Sequence, residues 1–192
     1  MNRQEHIPTA LLAVDVQTDF MPGGSLAVPA GDEVIEPLVA AAACADLVVA
    51  TRDWHPAEHI SFAERGGPWP PHCIATTPGA AIAPAIDRIA DMVVSKGMDP
   101  EVDAYSGFDG TGLAATLRAQ GVARVLVGGL ATDYCVRATA LDALRAGFET
   151  VVLADAVRPV DVEPGDGERA LEEMRAAGAQ LVTVEELLLN SP

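Results

Sequence analysis

The chain is predicted to fold as a three-layer α/β/α domain with a six-stranded, mainly parallel sheet, and two observations carry that prediction. Short apolar runs rich in Val, Leu and Ile alternate with segments of helical spacing. The runs are continuously apolar rather than alternating with polar residues, as strands covered by helices on both faces must be. The 192 residues fit one domain, 1–192, and a domain of this size buries about 70% of the surface of its unfolded chain.

Each element can be read in order. A polar N-terminal stretch precedes Ala10–Val14, an apolar run too short for a signal-peptide core or a membrane span, so it is expected to be a strand. Leu47–Ala50, Met92–Val94, Val125–Val127, Val151–Leu153 and Leu181–Val184 supply the other five. Helical spacing occupies Glu33–Ala45, Leu113–Gln120, Tyr134–Ala146 and Gly167–Ala177, and Gly147 and Gly178 stand where C-cap glycines would. The Pro- and Gly-rich stretch from Asp53 to Ala80 has no regular pattern, and ordered loops of that length are usually functional.

Composition narrows the partners. Asp and Glu number 28 against 12 Lys and Arg, for a formal charge of -16. That charge repels nucleic acid and anionic membranes, leaving a small-molecule substrate as the expected partner and a homo-oligomer open. Because the acids are spread along the chain, solubility explains most of the charge. The cysteines Cys44, Cys73 and Cys135 are odd in number and far apart, which argues against a disulfide framework and for the cytoplasm.

In open parallel sheets chemistry collects beyond the carboxyl ends of the strands. Asp15, Asp53 with His55, Lys96 and Cys135 follow the first four strands in turn. Cys135 lies where Gly128-Gly129-Leu130-Ala131-Thr132-Asp133-Tyr134 carries a strand through a tight turn into a helix. Helix N-terminal amides there are expected to favour a thiolate, with a pKa below about 8.5, and to offer donors to an oxyanion. Taken alone, Cys135 reads equally well as a buried structural thiol and Asp15 as a strand-end carboxylate, whereas Lys96 alone is more often a solvated amine. Together they supply a nucleophile, a general base that also returns the proton, and a cation to orient them. Cys44, inside an Ala run, reads as core, and Cys73 has no evident partner.

Asp53-Trp54-His55-Pro56-Ala57-Glu58-His59, with His72 following in Trp69-Pro70-Pro71-His72-Cys73, gathers three of the four histidines into one loop. Asp53, His55, His59 and His72 are the candidate ligands for one divalent metal ion, zinc first, with iron and manganese also suited to imidazole and carboxylate. A solvated His-containing loop is the plain alternative. His6 is expected to be solvated, and Glu58 to lie near the metal or on the surface.

With these residues assembled, the chain resembles the nicotinamidases of the isochorismatase-like cysteine hydrolase superfamily, from about Ala10 to Val184. Asp15-Val16-Gln17-Thr18-Asp19-Phe20 is similar to the segment carrying the catalytic Asp, Ser95-Lys96-Gly97 to that of the Lys, and Ala131-Thr132-Asp133-Tyr134-Cys135-Val136 to that of the nucleophile. The histidine loop resembles the metal site of nicotinamidases in particular. The resemblance implies hydrolysis of nicotinamide to nicotinate and ammonia through a thioester, with pyrazinamide as a second substrate. It also implies a ring pocket walled by Phe20, Trp69 and Tyr105, a cis peptide before Ala131, and an oxyanion hole from the Ala131 and Cys135 amides. Tyr134 departs from relatives with His at that place and receives no role. The rival readings are a superfamily amidohydrolase for another carboxamide or a carbamoyl group, a non-catalytic metal-binding domain, and a metal-only hydrolase with an incidental Cys135.

Overall fold

The computed structural model describes residues 6–190. In chain order the elements are β1 (Thr9–Val14), α1 (Ile35–Ala41), β2 (Leu47–Asp53), α2 (Pro84–Asp87), β3 (Met92–Lys96), α3 (Leu113–Ala119), β4 (Arg124–Leu130), α4 (Arg137–Arg145), β5 (Glu149–Arg158), α5 (Asp166–Ala176), β6 (Gln180–Val182) and α6 (Val184–Asn190). The strands form one sheet in the order β3-β2-β1-β4-β5-β6, every pair parallel. The three-layer α/β/α architecture expected from the apolar runs is the one observed.

Burial explains why β1 is central: all six of its residues are buried. Leu11 and Ala13 face one layer, packing with Leu38 of α1 and Ile86 of α2. Leu12 and Val14 face the other, with Leu117 of α3, Ala140 of α4 and Met174 of α5. Burying one such aliphatic side chain stabilises the fold by about 1.5–3 kcal/mol, and two such layers require strands apolar on both faces. Among the described residues no helix is long and apolar enough to cross a membrane, and no disulfide joins the three cysteines.

The boundaries differ from expectation where a tertiary partner intervenes. The helix expected over Glu33–Ala45 is broken into a 3-10 turn at Gly31–Val34, then α1, then a second 3-10 turn at Ala42–Cys44. The helix expected from Tyr134 opens as a π-turn over Thr132–Val136 before α4 begins. The last strand stops at Val182, and Val184 instead opens α6, its N–H received by the Asp155 carboxylate of β5 at 3.0 and 3.2 Å. An acid met in mid-strand thus holds the start of a helix 29 residues on, a pairing that no local pattern encodes.

Candidate active site

Parallel pairing aligns the carboxyl ends of β1 to β4, and the chemistry-bearing residues lie there. Asp15 immediately follows β1, Asp53 and Lys96 close β2 and β3 as register partners, and Ala131 follows β4. Their side chains converge on Lys96, which is fully buried. Its Nζ donates to Asp53 Oδ1 at 2.6 Å and to the Ala104 carbonyl at 3.1 Å, lies 2.9 Å from Asp15 Oδ2 and 3.5 Å from Cys135 Sγ. Burial alone would lower the Lys96 pKa, but the Asp15 and Asp53 carboxylates more than reverse this and hold it as an ammonium.

Asp15 is wholly buried with φ +48°, so its carboxylate is held by its neighbours. The Thr51 hydroxyl donates to Oδ1 at 2.6 Å. Oδ2 has the ion pair with Lys96 but no well-directed hydrogen bond, and this oxygen is left to take a proton. Burial pushes the Asp15 carboxyl above the ordinary carboxylate range, opposed by Lys96. A base with raised proton affinity suits proton abstraction from a thiol.

Cys135 sits in the π-turn, buried, beyond a cis Leu130–Ala131 peptide. The expectation of a depressed thiol pKa is reversed. Desolvation raises it, Lys96 opposes, and the Asp15 and Asp53 carboxylates raise it further, so the net displacement is well above the ordinary thiol value. Burial of the thiol, with two carboxylates beside it, works against the thiolate that helix-end amides were expected to favour. These surroundings favour the protonated thiol, and Asp15 stands beside it as a group that can accept a proton.

One ligand atom each from Asp53, His55 and His72 lies within 4.8 Å of the others, all buried. The ring tautomers fit a cation. His55 Nδ1 lies 2.9 Å from the Gly97 carbonyl and His72 Nδ1 lies 2.8 Å from the Pro70 carbonyl, so each Nδ1 carries the hydrogen and each Nε2 keeps a lone pair. Gly97 has φ +63°, and a Cβ there would stand 2.5 Å from the His55 ring, so only glycine permits this carbonyl to approach. Burial pushes His72 down, favouring the neutral ring a ligand needs. Asp53 is fixed by Gln17, whose Oε1 accepts the Asp53 N–H at 2.7 Å and whose Nε2 donates to the Asp53 and Ala80 carbonyls at 2.8 and 3.0 Å.

His59 is placed differently. Its ring stacks on His55 with centroids 4.1 Å apart, Nδ1 accepts from the Ser61 hydroxyl at 2.7 Å, and Nε2 lies 3.1 Å from the Val102 carbonyl. Both nitrogens are engaged in a tautomer opposite to that of His55 and His72. In this geometry His59 stacks beside His55 and lies outside the Asp53–His55–His72 group, with both of its ring nitrogens engaged. His6 makes an exposed 2.9 Å pair with Asp46, and Glu58 is exposed, away from the centre.

A slot opens between the thiol and the histidines, lined by Phe20, Trp69, Tyr105, His72, Asp53, Ala131 and Cys135. Trp69 Nε1 donates to the Tyr105 hydroxyl at 3.0 Å, and Tyr134 meets the Trp69 ring edge-on, centroids 4.9 Å apart. Tyr134, Leu26, Val28 and Val160 also line it and were not expected from the sequence. The support residues had a signal: Thr51 shares a strand face with Asp53 at i, i+2, and Gln17 lies two residues past Asp15. Val160 had none, because it arrives from beyond β5.

A buried thiol, carboxylate and ammonium delivered by neighbouring parallel strands, beside an apolar slot and a His/Asp donor set, define a hydrolase of the three-layer α/β class with cysteine at its centre. Residues 9–186 match the isochorismatase domain family. The chain belongs to that family, among its nicotinamidases and pyrazinamidases: it is 45% identical to the nicotinamidase/pyrazinamidase of Mycobacterium tuberculosis, over 90% of this chain and 97% of that protein. It is similar to the pyrazinamidase of Pyrococcus horikoshii solved with zinc, at 53% identity and TM-score 0.85, covering 91% of this chain and 98% of that one. PnC1 of L. infantum, solved with nicotinate, superimposes with TM-score 0.88 at 36% identity, over 94% and 95% of the two chains.

Proposed function

We propose that this amidohydrolase cleaves nicotinamide to nicotinate and ammonia through a thioester on Cys135, and accepts pyrazinamide as a second substrate. The observation that carries the reading is the convergence of Lys96 on Asp15, Asp53 and Cys135 beside an aromatic slot that His72 also lines. Phe20, Trp69 and Tyr105 hold a flat ring, and the slot opens directly onto Cys135. The names and ligands of the relatives point to the same substrate class.

Asp15 takes the Cys135 proton as sulfur attacks the carboxamide carbon. The oxyanion rests on the Ala131 and Cys135 amides, where loss of one donor costs about 3–4 kcal/mol in comparable sites. Asp15 then gives its proton to the departing nitrogen, the C–N bond breaks, and ammonia leaves. Water attacks the thioester while Asp15 accepts its proton, and that proton returns to sulfur as nicotinate is released. Lys96 keeps Asp15 ionised between turns and neutralises charge as sulfur loses its proton. Asp53, His55 and His72 would hold a divalent cation, zinc on grounds of its imidazole and carboxylate donors, and such an ion supplies a Lewis-acidic point for a ring nitrogen or a water. The thiols Cys73 and Cys135 suit the reducing cytoplasm.

The test is ammonia release from nicotinamide by the purified, zinc-loaded protein beside its Cys135→Ala variant. Turnover in the former and none in the latter is expected. Equal turnover in both overturns the thioester route, and none in either overturns the substrate.

A further inference from the structure

Asp133 is buried in the π-turn two residues before the nucleophile, yet it does not line the slot. Its carboxylate faces the segment beyond β5. Oδ1 accepts the Val160 N–H at 2.9 Å and Oδ2 accepts the Asp161 N–H at 2.9 Å. Val160 lines the slot with Phe20, Trp69 and Cys135, so the acid that leads into the nucleophile also holds part of the slot's lining. The segment is gripped on its far side as well. Asp161 Oδ1 accepts the Gly167 N–H at 2.8 Å in the first turn of α5, and Gly167 packs so closely that a Cβ would stand 2.6 Å from Pro159. Asp161 itself has φ +53°, a conformation that an Asp keeps when its surroundings impose it.

We propose that Asp133 is a positioning residue that sets the size limit of the ring slot, by clamping the backbone of Val160 at a fixed distance from the nucleophile turn. Two charge-assisted bonds from one carboxylate to successive amides fix both the position and the direction of that backbone. Replacing one oxygen with an amide nitrogen, as in Asp133→Asn, sets a donor against a donor. The Val160 wall is then released while Cys135, Asp15 and Lys96 keep their own contacts. The inference rests on nicotinamide being the substrate.

The experiment compares the wild type with Val160→Ala, Asp133→Asn and Asp133→Glu on nicotinamide and a set of ring-methylated nicotinamides, normalised to Cys135 titrated by iodoacetamide. A methyl group in an apolar pocket changes kcat/KM by about tenfold or more. All three variants should raise the ratio of kcat/KM for at least one methylated substrate to that for nicotinamide by about tenfold. The change should lie mainly in KM. Asp133→Glu keeps the charge but displaces its oxygens, and it stands in if Asp133→Asn does not fold. Unchanged ratios in Val160→Ala, or a uniform loss of kcat across substrates in the folded Asp133 variants, overturn the proposal. Failure of the wild type to turn over nicotinamide instead overturns the functional reading.

Discussion

Thr51→Val tests whether Asp15 works as a base because of how it is held. The hydroxyl donates to Asp15 Oδ1 at 2.6 Å and accepts the Asp15 N–H at 3.2 Å. Valine keeps the volume but puts a methyl where the hydroxyl stood, and carbon packs against oxygen no closer than about 3.3 Å. The carboxylate must therefore withdraw by more than half an ångström, or about 0.7 Å. Displacements near 1 Å cost about 100-fold in rate, and loss of a hydrogen bond to a charged group costs about 1.5–3 kcal/mol, or about 10- to 150-fold. Both routes give a fall in kcat of one to two orders of magnitude. The same buried acceptor left unmet should lower folding stability by about 1–3 kcal/mol. Steady-state ammonia release and urea unfolding measure the two effects, and Thr51→Ser should restore most of both. A Thr51→Val protein with kcat within about twofold of wild type would refute the reasoning, since misplacement would then carry no penalty.

Asp15→Asn should be as inactive as Cys135→Ala, both folded with unchanged metal content, because an amide can neither take nor return the proton; residual turnover near wild type would send the search for the base elsewhere. His55→Ala and His72→Ala should lose zinc by elemental analysis, whereas His59→Ala should retain more than either, and equal loss in all three would place His59 among the ligands. Pyrazinamide should be turned over and benzamide poorly, because benzamide lacks a ring nitrogen, and equal kcat/KM for nicotinamide and benzamide would leave the cation no part in orientation. Alkylation of Cys135 by iodoacetamide should climb with pH past about 8.5 without a plateau, because the folded thiol pKa lies above its unfolded value. By the same sign, this proton preference adds stability that is full below the unfolded thiol pKa and is lost as pH rises above it. A plateau below about pH 7.5 would reveal a resting thiolate.

What the sequence alone determined was the layered parallel fold and the places where chemistry gathers. Runs such as Ala10–Val14 and Val125–Val127 are apolar on both faces, and parallel pairing then forces Asp15, Asp53, Lys96 and Cys135 to one edge. The tertiary structure decided the rest, because each remaining feature depends on groups distant in the chain. The pKa of the Cys135 thiol is raised first by its own burial and then by the carboxylates that follow β1 and close β2, against the opposing charge of Lys96, and none of these is visible in the local sequence. His59 and His72 lie in the same loop, but the Val102 and Pro70 carbonyls engage opposite ring nitrogens, so the two rings present different atoms to the space between them. Val160 enters the slot because an acid 27 residues earlier holds its backbone. Local periodicity reports which face of an element is buried, whereas hydrogen bonding and desolvation between distant elements fix the state of each group that the sequence brings to the site.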